Sequence, residues 1–176
     1  MYKRQVLRGE TEAARFVEVR SETFGQVVSE PLRKGSFVKK NDILCRLDEG
    51  TRKTALADAA AKLEEAKALI PQTEAKLDEA NSRLEEAKIN FNAATKLSQG
   101  GYASETRVAS AEAAMRSAEA GVATATAGFE STRARIQSAE AGVAAAEKEI
   151  ERLIIKAPFG GPLESDTAEI LSLIHI

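Results

Sequence analysis

Large hydrophobic residues recur at every seventh position through the middle of the chain: Leu56, Leu63, Ile70, Leu77, Leu84 and Phe91. Three places beyond each stands a small residue: Ala59, Ala66, Thr73, Ala80, Ala87 and Ala94. After Gly100-Gly101 the pattern restarts as Val108, Met115, Val122, Phe129, Ile136, Val143 and Ile150, accompanied by Ala111, Ala118, Ala125, Thr132, Ala139, Ala146 and Leu153. A seam of period seven predicts long helices that pack along one stripe. Folding back at Gly100-Gly101 makes an antiparallel hairpin. Phe91 then faces Ala111, Leu84 faces Ala118, Ile70 faces Thr132, and reciprocally Ala94 faces Val108 and Thr73 faces Phe129. Each layer sets a large side chain against a small one, which lets the helices approach closely. At 1.5 Å per residue, arms of about fifty residues give a rod on the order of 70 Å long.

Pro71 falls inside the first arm, yet the count of seven runs through it from Ile70 to Leu77, so a kink is expected rather than a break. Away from the seam, Asp58 with Lys62, Glu79 with Arg83 and Glu112 with Arg116 are acid-first pairs four apart, the signature of solvated helix faces. The second arm is less polar outside its seam. Gly121, Gly128 and Gly142 share one stripe there, and glycine in a helix costs about 1 kcal/mol relative to alanine. Either this flank packs against a neighbouring hairpin, or alanine is simply a good helix former and the glycines are tolerated.

The flanks have a different period. Phe16–Arg20, Gly25–Ser29, Phe37-Val38 and Ile43–Leu47 read as short strands punctuated by Gly, Pro and Asn-Asp. Together they amount to half of a small β-sandwich, with exposed edges and too little core to stand alone. Leu153–Ala157 offers a further strand, followed by the turn-rich Pro158-Phe159-Gly160-Gly161-Pro162. The economical arrangement is one β-domain interrupted by the hairpin, an α+β fold.

Composition narrows the chemistry. Aromatics are 5% of 176 residues against 43% hydrophobic overall, with alanine supplying about thirty, so the apolar content belongs to helices in close contact and not to a thick core. One cysteine, Cys45, excludes a disulfide framework and a cysteine-rich zinc site. One histidine, His175, leaves little for acid-base catalysis, and no catalytic, cofactor or metal residues are assigned. A net charge of −2 gives no bias toward nucleic acid. No run approaches the roughly 18 apolar residues of a membrane span, and Met1–Val6 lacks the apolar stretch of a signal peptide. Cys45, on the last strand before the rod, reads as a small buried residue.

At this point the residues carry a resemblance. Gly25-Gln26-Val27, through Gly35-Ser36-Phe37-Val38-Lys39-Lys40-Asn41-Asp42-Ile43-Leu44-Cys45-Arg46-Leu47-Asp48, resembles the first half of the lipoyl-like domain of periplasmic adaptor proteins, also called membrane fusion proteins. Ile155-Lys156-Ala157-Pro158-Phe159-Gly160-Gly161 resembles the second half, and that family inserts a helical hairpin between the two. Gly9–Arg15 is similar to the strand that enters this domain from the membrane-proximal part in adaptors of resistance-nodulation-division pumps. Gly160 departs from the family, which usually has an acidic or amide residue there.

The resemblance implies a periplasmic subunit, attached to the inner membrane in the full-length protein. Its partners would be an inner-membrane efflux transporter and an outer-membrane channel protein, bridged for export of drugs or other small molecules, with self-association as a hexamer. An adaptor of an ABC-type exporter or type I secretion system, or a structural coiled-coil spacer, is the alternative. The implied contact with the outer-membrane duct is the hairpin tip, Leu97, Gly100, Gly101, Tyr102 and Ser104. Leu97 and Ser104 stand at the family's tip spacing, whereas Ala93 occupies the place of its usual arginine. Gly121, Gly128 and Gly142 are the candidates for subunit packing. No lysine occupies the modified turn of true lipoyl and biotinyl domains, so neither lipoyl nor biotin modification is expected. The expected organisation is a non-native leader (1–5), a membrane-proximal strand (6–20), the first lipoyl-like half (21–48), the hairpin (50–152, tip near 98–104), a truncated second half (153–170) and a non-native tail (171–176).

Overall fold

A computed structural model describes residues 15–30 and 32–165. The expectations for the leader, for most of the membrane-proximal segment and for the tail with His175 fall outside these residues. The chain divides into two compact units. One joins the residues up to Glu49 with those from Glu151 onward, and the other is Gly50–Ile150.

The first unit contains β1 (Phe37–Val38), β2 (Ile43–Arg46), β3 (Ile154–Lys156) and β4 (Gly161–Pro162). β1 pairs antiparallel with β4, and β2 pairs antiparallel with β3, so strands from before and after the helices complete one another. β1 and β2 are joined by a turn in which Asn41 adopts a positive φ of 71° and the Lys39 amide donates to Asp42 Oδ2 at 2.7 Å. Asn is among the few residues that tolerate this conformation.

β2 carries a bulge. Ile43 pairs with Lys156 and Cys45 with Ile155, leaving Leu44 as the extra residue. Strict alternation would send Leu44 and Cys45 to opposite faces, but both are buried here. Cys45 joins Val27, Leu47 and Leu153 in one cluster, while Leu44 joins Val38 and Ala157 in another, and Ile155 packs against both. Two small cores therefore share one strand residue. Burial pushes the Cys45 thiol above its ordinary range, because the thiolate would lose its hydration.

Two strand expectations are corrected. Phe16–Arg20 has no regular structure, and Phe16 and Val17 are exposed. Its residues suit a strand, but no described neighbour hydrogen-bonds to it along a ladder. Gly25–Ser29 is reduced to a bridge between Val27 and Leu47, flanked by hydrogen bonds from Val28 N to Arg46 O and from Asp48 N to Gln26 O. The stretch expected only as turns, after Pro158, supplies β4. At Gly160 a Cβ would lie 3.3 Å from Val38 O, so the larger side chain usual at this place in the resembling family would crowd the backbone of β1.

The second unit consists of α1 (Arg52–Ala68), α2 (Ile70–Gln99) and α3 (Glu105–Glu151). Its burial follows the predicted seam. Ala66, Ala87, Ala94 and Thr132 are buried, and the large members from Leu56 to Phe91 and from Val108 to Ile150 are half-buried, amid otherwise exposed faces. The small members sink deepest because the opposing large side chains close over them. Asp58–Lys62, Glu79–Arg83 and Glu112–Arg116 form ion pairs on exposed faces, where such pairs add little stability. The first arm does not pass Pro71 as one helix: α1 ends at Ala68 and α2 begins at Ile70, with Pro71 in its first turn. Leu69 keeps right-handed angles (φ −81°, ψ −15°) while the hydrogen-bond ladder is interrupted there.

Candidate functional site at the hairpin tip

The tip is built by two helix ends that are capped from within the turn. At the end of α2 the Tyr102 amide donates to Leu97 O at 2.8 Å and the Gly101 amide to Ser98 O at 3.0 Å. With Gly101 at φ 77°, this is a Schellman motif, in which a left-handed residue turns the last amides back onto the helix carbonyls. Gly101 is required by its conformation, whereas a Cβ on Gly100 would meet only Cδ2 of the exposed Tyr102 ring at 3.0 Å, which is free to move. The next helix starts at once. Ser104 caps α3, its Oγ accepting from the Arg107 amide at 3.3 Å, and Glu105 lies in the first turn where the helix dipole favours an acid. The last turn of α2 carries Lys96, of the opposite preference.

With the last carbonyls of α2 capped, the tip presents mainly side chains. Tyr102 is 85% exposed and Leu97 45%, the latter one place off the seam whose member Ala94 is buried. The structure brings Leu97, Gly100, Gly101, Tyr102 and Ser104 together in one turn and its flanking residues. Ala93 is exposed on α2 and supplies no charge there. An apolar and an aromatic side chain on a rigid turn suit recognition of another surface, since Tyr combines contact area with few rotamers to freeze. Ile89, 59% exposed on α2, escaped the sequence reading because it lies off the heptad stripe and beside charged residues.

Gly121, Gly128 and Gly142 are placed elsewhere, along the flank of the hairpin. Each is exposed, with nothing near the position of a Cβ. Gly121 and Gly128 line a groove of about 850 Å³ between α2 and α3, whose other wall includes Lys76, Glu79 and Arg83. Gly142 lines a second groove of about 500 Å³ between α1 and α3. Among the described residues there is no group of three or more His, Cys, Asp or Glu placed to hold a metal, and no helix is long and apolar enough to cross a membrane. Lys39 and Lys40 lie at the turn joining β1 to β2.

No family model and no curated protein sequence matches the chain. Solved structures do. MacA from Actinobacillus actinomycetemcomitans superposes with a TM-score of 0.65 at 22% identity, over 94% of this chain and 49% of that one. A putative efflux transporter from Bacteroides eggerthii gives 0.58 at 17% identity, over 93% and 37%. The periplasmic adaptor protein EmrA gives 0.50 at 17%, over 93% and 69%. The fold is therefore that of the periplasmic adaptor, or membrane fusion, proteins: a helical hairpin between two parts of a small β-unit. The chain spans half or less of the length of the first two structures.

Proposed function

We propose that this chain is the central part of a periplasmic adaptor subunit that bridges an inner-membrane efflux transporter and an outer-membrane exit duct, supporting export of drugs or other small molecules. The observation that carries the reading is the hairpin itself. Its 47-residue second arm, about 70 Å at 1.5 Å per residue, ends in a capped turn that exposes Leu97 and Tyr102. Such a rod is a reaching device with a contact surface at its end, and the contacts assigned to the duct are Leu97, Gly100, Gly101, Tyr102 and Ser104. Residues 21–48 and 153–170 are read as the two halves of a lipoyl-like domain around it. The resistance-nodulation-division assignment rests on the segment 9–15 and on the spacing of Leu97 and Ser104. Location in the periplasm, inner-membrane attachment and hexamer formation belong to the same proposal, with Gly121, Gly128 and Gly142 on the flank that meets the next copy.

Single cysteines replacing Leu97 or Ser104, in a Cys45→Ala background, test the assignment by crosslinking to an outer-membrane duct. Crosslinks at both positions support it. Labelling confined to the middle of α3 would refute tip docking. A charged, bulky Gly128→Arg substitution should lower the assembled mass, and unchanged assembly would remove the packing role.

A further inference from the structure

The small position of the seam is alanine at every rung but two between Ala59 and Ala146. The exceptions are Thr73 on α2 and Thr132 on α3, and they stand at the level where Pro71 interrupts the first arm. Their hydroxyls are not spent on holding the arms together. Thr73 Oγ1 lies 3.2 Å from Leu69 O and 3.0 Å from Ile70 O, two near-equivalent acceptors in its own preceding turn, and Thr132 Oγ1 donates to Gly128 O at 3.2 Å. Hydroxyls that bond back onto the preceding turn often bend helices; Ser82, Thr95 and Thr124 do so as well, and what sets Thr73 apart is its pair of acceptors beside Pro71. Pro71 has no N–H to continue the ladder, and the Leu69 amide instead makes a tightened bond to Ala66 O at 3.3 Å.

A second observation falls at the same level. The larger groove runs from the tip side as far as Thr73 and Gly128, and the smaller one begins at Ala66 and Arg135. Thr132, which falls between them along α3, is buried. Arg135 interrupts the stripe of Gly121, Gly128 and Gly142 at this same place.

We propose that this rung is a bending joint in the rod. The continuous α3 acts as the spine, the α1–α2 break opens and closes, and Thr73 exchanges its acceptor between Leu69 O and Ile70 O as the angle changes. About 26 residues separate Thr73 from the end of α2, or roughly 40 Å, so each 10° of bend moves the tip sideways by about 7 Å. The joint stands on helix geometry alone and holds whatever the tip binds.

Amide hydrogen exchange on this chain reads it directly. Amides 68–75 and 128–133 should exchange at least about tenfold faster than those around Ala80–Ala87 and Ala118–Ala125. Pro71→Ala should remove most of that difference, and Thr73→Ala with Thr132→Ala should reduce it. Uniform exchange along both arms of the parent, or an unchanged profile in Pro71→Ala, overturns the joint. Spin-label pairs in a Cys45→Ala background give an independent readout. The distance distribution for labels replacing Glu65 and Glu85, across the joint, should be broader than for Lys76 and Lys96, and should narrow on Pro71→Ala. Equal widths for the two pairs in the parent overturn it.

Discussion

Gly100 and Gly101 are adjacent in sequence, yet their substitution should have opposite consequences. Gly101 has φ 77° and open space where a Cβ would be, so alanine there meets no atom and its cost is purely conformational. Holding an L-residue left-handed costs about 1–2 kcal/mol. Gly100 has φ −85° and ψ 1°, which alanine adopts freely; its obstacle is the Tyr102 ring, and that ring is 85% exposed and can swing aside. Gly100→Ala should therefore be close to neutral. For a unit of roughly 100 residues, 1 kcal/mol moves Tm by about 4–8 °C. Gly101→Ala should lower the helical melting transition by at least that amount, while Gly101→Asn should recover part of it because Asn tolerates the left-handed region. Thermal unfolding followed by circular dichroism at the helix band measures all three. If Gly100→Ala is the more damaging, or if Gly101→Ala melts with the parent, the Schellman turn is not what ends the first arm.

Other consequences concern the caps and cores. Ser104→Ala should cost about 1 kcal/mol in urea unfolding, by removing the acceptor for the Arg107 amide. Ala94→Leu should cost about 1–3 kcal/mol by overfilling a position 4% exposed, and an unchanged urea midpoint would mean the arms are not closely packed there. Leu153→Ala opens a cavity in a four-residue cluster and should cost about 2–5 kcal/mol in the β-unit, read as faster alkylation of Cys45 while the helical signal persists. Because burial raises the Cys45 pKa, the folded state keeps its proton where the unfolded thiol has lost it. This contribution is greatest below the unfolded thiol's pKa and is lost as pH rises toward the folded value. Urea midpoints should fall across that window in the parent and less in Cys45→Ala.

The hairpin was legible because its signal is redundant: each seam residue repeats the same period, and burial of Ala66, Ala87 and Ala94 falls on the small positions that period defines. Turn chemistry was legible at Gly100-Gly101 and Ser104 for a similar reason, since both ends are specified by local backbone needs. The β-unit was less so. Phe16–Arg20 has strand-forming residues, but a strand exists only if a partner ladder meets it. The bulge at Leu44 defeats alternation by burying two consecutive residues, and Gly161-Pro162 has a turn composition that its pairing with β1 overrides. At Pro71 the heptad count showed that the seam continues, and said nothing of the hydrogen-bond ladder. The tip residues could be located from the sequence, whereas the exposure of Tyr102 required the fold.

The alternation of large and small rungs also limits how such a hairpin can change size. Removing one to six residues from a single arm would take its seam out of register with the other, so that large residues no longer face small ones along its length. Removing seven from each arm, between the cap at Ser104 and the base, restores every layer. The span of the hairpin is thus available in increments of seven residues per arm, about 10 Å each, and a chain refitted to a wider or narrower gap would be expected to differ by whole repeats.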